Sequence, residues 1–174
     1  MIISKSISIS KKYITRSANI SLGYQEVPNS GCLSELSVNS ITKIINDLNQ
    51  VITQSNRVIT WGVDRCMVDS DHEGSLFTNI NGIETADIAT NVIRDLLIEI
   101  KNFKLQYEDV DNLKNIIGQA FSAIKLNPNN HKISSNSIYH YTITINNINI
   151  ILVLEVNDFT LSSNEYVNQL NTNF

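Results

Sequence analysis

The chain has few of the residues that break or staple a fold. Its 174 residues include two prolines, six glycines, two cysteines and one tryptophan. So little proline and glycine excludes a linker-rich or collagen-like chain. Two cysteines, Cys32 and Cys66, are too few for a disulfide framework. One bridge between them is an alternative, but two reduced, buried thiols are the expected state. Charged residues make up only 17 %, and the net charge is −4. That balance excludes the basic face a nucleic-acid partner requires, and it offers no attraction to anionic lipid. No run of about twenty apolar residues occurs, so no transmembrane helix is expected. Met1 to Ser10 alternates isoleucine with serine and lacks the apolar core of a secretory signal. Release without a cleavable signal peptide is the expectation, with a cytoplasmic location as the alternative. There is no glycine-rich phosphate loop, no CxxC and no HExxH, and no cofactor is expected.

What the chain does contain is apolar mass, with 42 % hydrophobic residues, enough for a globular fold. Polarity comes from 24 asparagines and 19 serines, set among 27 isoleucines. An AT-rich coding bias produces this mixture, and so does a weakly charged surface suited to contact with a neutral partner. The length fits one domain over 1–174, with 157–174 as a polar tail.

Periodicity assigns the elements. In "IISKSISISKKYIT", Ile3, Lys5, Ile7 and Ile9 share one face and serines fill the other, the period of a strand. Ala18 to Tyr24 is a weaker strand, and a loop follows through Gly31. Ile41, Ile44, Ile45, Leu48, Val51 and Ile52 recur at helical spacing, with Ser34 or Ser37 as the cap. Arg57 to Val63 reads as a short strand. Residues 64–82 show no clear period and read as a long loop, the natural place for function. Ile88, Ala89, Val92, Ile93, Leu96, Leu97, Ile100 and Phe103 form a wide helical face, and Val110 to Ile124 a narrower one capped by Asp109. The short connection predicts an antiparallel helical pair.

The stretch "SIYHYTITINNINIILVLEV" predicts a hairpin over 138–156, turning at Asn146-Asn147, because asparagine tolerates the positive φ of a type I′ turn. The register then pairs Tyr139 with Leu154, Tyr141 with Leu152, Ile143 with Ile150 and Ile145 with Ile148 on one apolar face. The other face mixes His140, Thr142 and Thr144 with Val153, Ile151 and Asn149. The predicted fold is α+β: a mainly antiparallel sheet packed against about three amphipathic helices.

Three sites can be weighed. "DSDHEG" places Asp69, Asp71 and Glu73 at alternate positions before Gly74, as in the start of an EF-hand loop, but Ile80 stands where the bidentate carboxylate belongs. A solvated acidic loop is the plainer reading, and a weak calcium site the alternative. Cys32 or Cys66 with His72 or His140 would make a nucleophile pair for a hydrolase or deamidase, though two cysteines and three histidines supply such pairs by chance. Trp61 and the tyrosines Tyr13, Tyr24, Tyr139 and Tyr141 would make a headgroup or sugar platform, with core packing as the plainer role.

The order of elements over 84–156, a helical pair followed by "SIYHYTITI" and "INIILVLEV", resembles the later part of the Cyt-type cytolytic δ-endotoxins. That resemblance implies helical hairpins wrapped around a sheet, with helices that move aside so that strands engage lipid. It implies no catalytic residue. The expectation is therefore a non-enzymatic, released bacterial toxin-like protein. Its hairpin Tyr139, Tyr141, Ile143, Ile145, Ile148, Ile150, Leu152 and Leu154 would meet a lipid membrane or host target. The rival expectation is a structural or interaction module, such as an immunity, inclusion-forming or secretion-accessory protein, with a homo-oligomer as a candidate state.

Overall fold

A computed structural model describes residues 1–10, 13–23, 25–126, 138–155 and 165. Among them are nine strands and four helices. In chain order these are β1 (Ile2–Ile9), β2 (Ile14–Leu22), β3 (Gln25–Glu26), α1 (Cys32–Glu35), α2 (Val38–Thr53), β4 (Ile59–Val63), β5 (Cys66–Ser70), β6 (Gly74–Asn79), β7 (Glu84–Ala89), α3 (Thr90–Glu108), α4 (Val110–Leu126), β8 (Ile138–Ile145) and β9 (Ile148–Glu155). The fold is α+β, as expected. One sheet runs β3-β2-β1-β9-β8 and the other β4-β5-β6-β7. Every recorded pairing is antiparallel except that of β1 with β9.

Against the reading of one domain over 1–174, the contacts cluster the chain into two compact units. The first comprises Met1–Ile3 and Ala18–Leu105, the second Ser4–Ser17 and Gln106–Phe174. In the first unit, α2 starts at Ser37, whose hydroxyl accepts from the Ser40 N–H at 3.0 Å. That settles the cap in favour of Ser37, because α1 ends at Glu35 and Leu36 is extended. The stripe Ile41, Ile44, Ile45, Leu48 and Val51 is buried, as are Ile93, Leu97 and Ile100 of α3. All of these side chains except Val51 join Trp61, Val68 and Phe77 of the four-stranded sheet in one core. Each such aliphatic side chain contributes about 1.5–3 kcal/mol by leaving water.

The long loop expected over 64–82 is instead most of a β-meander. Cys66–Ser70 alternates buried and exposed, and Gly74–Asn79 continues the pattern out of phase. Buried Ser70 and Ser75 conceal that alternation from a hydropathy reading, because their hydroxyls are satisfied inside. Ile88 and Ala89 likewise belong to β7, and the helix begins at Thr90.

In the second unit the hairpin has the expected turn and register. Asn146 and Asn147 stand at φ 51° and 61°, and Ile145 pairs with Ile148, Ile143 with Ile150 and Tyr141 with Leu152. Tyr141, Ile143, Ile148, Ile150, Leu152 and Leu154 are buried. Helix α4 packs on β8 and buries its own stripe of Leu113, Ile116, Ile117, Ala120, Phe121 and Ile124. Asp109 caps α4, accepting from the Asn112 N–H at 2.9 Å. The Arg16 guanidinium donates twice to the Tyr107 carbonyl, at 2.9 and 2.7 Å. Burial lowers the Arg16 pKa, partly offset by nearby Glu108. The expected polar tail 157–174 lies outside the described residues, apart from Glu165.

Candidate functional site: a groove beside an edge strand

Strand β4 is the terminal strand of the four-stranded sheet. It pairs with β5 on one side, Thr60 opposite Asp69 and Val63 opposite Cys66. Its other edge faces a groove of about 420 Å³. Glu35, Leu36, Ser37, Ser40, Lys43, Ile44 and Asp47 form one wall of that groove, and the chain from Thr60 to Val63 forms the other. Among the described residues, no hydrogen bond outside the β4–β5 ladder reaches the backbone of Ile59–Val63. An edge of this kind is a template for another strand unless it is blunted by proline, lysine or a cover. The sequence "ITWGV" contains neither proline nor lysine.

The wall opposite β4 is fixed at three points. Cys32 of α1 is bridged to Cys66 of β5, with the Cα atoms 6.2 Å apart. This corrects the expectation of two free thiols: α1 sits against β4, and both cysteines are buried together in the core. Lys104 of α3 donates to the carbonyls of Ser34 and Leu36, at 2.7 and 2.6 Å, and so holds the α1–α2 junction. The third point is the Ser37 cap. On the β4 side, Trp61 turns inward, meets Phe77 edge-on at 6.3 Å and donates its indole N–H to Ser70 at 2.9 Å. Gly62 is required where it stands, because at φ +145° an added Cβ would strike the Cys66 carbonyl oxygen.

A line of buried hydroxyls extends from Trp61. Ser70 and Ser75 are 2.7 Å apart, Ser75 and Thr90 3.2 Å, and Thr90 donates to the Asp71 carbonyl at 2.7 Å. Each hydroxyl in such a line can donate once and accept once, so the line closes without an orphan. It ends at the β5–β6 turn. There Asp71 accepts from the Glu73 and Gly74 N–H groups at 2.8 and 2.9 Å, which holds its carboxyl below the usual value of 3.8.

The acidic candidates Asp69, Asp71 and Glu73 do come together, joined by Asp87, around a recess of about 450 Å³ on the sheet's open face. Strands flank them where an EF-hand needs helices. Among the described residues, no group of three histidine, cysteine or carboxylate ligands is placed to hold a metal ion. Asp71 spends one carboxylate oxygen on the turn, and Asp69 accepts from the Thr60 hydroxyl at 2.5 Å.

The catalytic alternative also loses its parts. Cys32 and Cys66 carry no free thiol, and His140 lies half-buried on β8 opposite Val153. In the hairpin, Ile145 is half-exposed, and the side chain of Tyr139 lies outside the described residues. Thr144 is exposed, and His140, Thr142, Asn149, Ile151 and Val153 are half-buried, so burial is confined to the Tyr141 face. Of the aromatic platform, Trp61 and Tyr141 are core and Tyr13 is exposed, while Tyr24 lies outside the described residues. The edge-strand groove escapes sequence reading because an edge is a property of strand order. The one local signal is the charge-free strand "ITWGV" itself.

No family model, curated protein or solved structure matches the chain.

Proposed function

We propose that the protein is a non-enzymatic interaction module that takes an extended polypeptide segment into the groove between β4 and α2. One observation carries this reading: an edge strand whose outer hydrogen-bonding side has no partner among the described residues, facing a preformed groove. Strand addition at such an edge draws affinity from main-chain hydrogen bonds and specificity from pockets for alternate side chains. The Cys32–Cys66 bridge supports a protein released into an oxidising compartment, because disulfides persist there and are rare in reducing ones.

Selection of random peptides displayed on phage against the intact protein tests the reading. Enriched peptides are expected to lose binding at least tenfold to Ser40→Trp, which fills the groove from an exposed position on α2. Peptides that bind the variant as well as the original would overturn it.

The membrane-active reading keeps one supporting observation, the amphipathic α4 over the apolar hairpin face. To enter lipid as a hairpin, β8 and β9 would have to leave β1, which pairs with β9. Dye release from neutral and anionic vesicles at micromolar protein would restore that reading, and intact vesicles would remove it.

A further inference from the structure

We propose that the segment completing β4 carries a lysine or arginine opposite Thr60, between residues whose side chains enter the groove; this rests on the groove reading above and names the partner's chemistry. A strand added to β4 sends successive side chains to opposite sides of the sheet. On the helix side they enter the groove, where Leu36 and Ile44 are buried, Val63 is half-buried, and the lining carboxylates Glu35 and Asp47 are already paired with Arg65 and Arg57 at 3.6 and 3.7 Å, beside Lys43. On the other side they lie beside Thr60, on the open face.

That open face is acidic. The pairing places Thr60, Asp69, Leu76 and Asp87 in one row across all four strands. Asp71 and Glu73 stand at the same recess. Among the described residues, none of these four carboxylates pairs with a lysine or arginine; the recorded ion partner of Glu73 is its neighbour His72, at 3.4 Å. A docked residue opposite Thr60 lies two strand spacings from Asp69, roughly 9–10 Å. Lysine and arginine span that gap with a long apolar stem laid across Thr60, and they deliver the charge at the far end. Short or acidic side chains cannot. Charge complementarity therefore selects a basic residue opposite Thr60, whereas the next outward row, Gly62, Met67 and Thr78, carries no charge; the five residues of β4 set the paired length. A second copy of this chain fits poorly. Its own β4 has no basic residue, and two chains of net charge −4 would bring like charges together.

The test uses the intact protein and three labelled, end-capped octapeptides in which valine alternates with lysine, serine or glutamate. Fluorescence anisotropy is expected to show saturable binding of the lysine peptide, at least tenfold tighter than the serine one, and none of the glutamate one. Asp69→Asn, at an exposed position, should weaken the lysine peptide at least fivefold while the thermal melt stays unchanged, and Asp87→Asn, four strand spacings from the docked segment, should not. Added salt should weaken it as well. Equal binding of all three peptides, indifference to Asp69→Asn, or no binding of the lysine peptide would overturn the proposal. A dimer seen by light scattering and abolished by Ser40→Trp would overturn it too, by seating a second copy in the groove. If phage-selected peptides still bind and are blocked by Ser40→Trp while the lysine peptide fails, the partner chemistry falls and the groove stands. If both fail, both fall.

Discussion

At the scale of single residues, polar groups do as much to shape the first unit as the apolar core does. The hydroxyls of Ser70, Ser75 and Thr90 lie buried and carry a continuous set of hydrogen bonds from the Trp61 indole to the Asp71 carbonyl. Removing the middle member leaves neighbours unsatisfied in a dry interior. Ser75→Ala is therefore expected to cost about 1–3 kcal/mol in urea unfolding, whereas Ser122→Ala, on the exposed side of α4, should fall within about 0.5 kcal/mol of no effect. Asp71 makes a pH prediction. Its carboxyl is held low by the Gly74 and Glu73 N–H groups. A depressed carboxyl adds stability that is complete above its unfolded value and is lost as pH falls through the folded value. The amide protection factors of Glu73 and Gly74 should thus stay constant near neutrality and fall only below the ordinary aspartate range. Protection already lost near neutrality would contradict this. The acidic cluster was legible in "DSDHEG"; the hydroxyl line was not, because residues 61, 70, 75 and 90 share no period and meet only through strand pairing.

At the scale of elements, the hairpin and the meander show what a sequence reveals and what it hides. The hairpin was legible to its register because Asn146-Asn147 fixes the turn and one face is wholly apolar. Asn147→Ile, placing a β-branched residue at φ 61°, should cost about 1–3 kcal/mol in thermal or urea unfolding. The meander was hidden because its inward positions include Ser70 and Ser75 and its outward ones include Met67 and Leu76. Period two survives there in burial but not in hydropathy. The bridge was hidden too: spacing along the chain says nothing about which strand α1 lies against. Cys32→Ala with Cys66→Ala opens a closure spanning 34 residues. Chain entropy sets the expected loss at up to about 4 kcal/mol in urea unfolding under non-reducing conditions. A negligible loss would show that the bridge is not formed in solution.

At the scale of the whole molecule, low charge and a polar, asparagine-rich composition meet a specific arrangement. The described helices supply no span long and apolar enough to cross a membrane, and the most apolar strands lie inside a sheet. Strand order leaves four terminal strands, β4 and β7 in one sheet and β3 and β8 in the other, and the proposed function rests on the outer edge of β4, which faces α2 across a groove. Amide hydrogen exchange of Ile59–Val63, measured with and without a groove-selected peptide, tests this most directly. The account predicts that exchange slows along β4 while β8, the terminal strand of the other sheet, is unchanged. Unchanged exchange along β4, or slowing along β8 in its place, would contradict it.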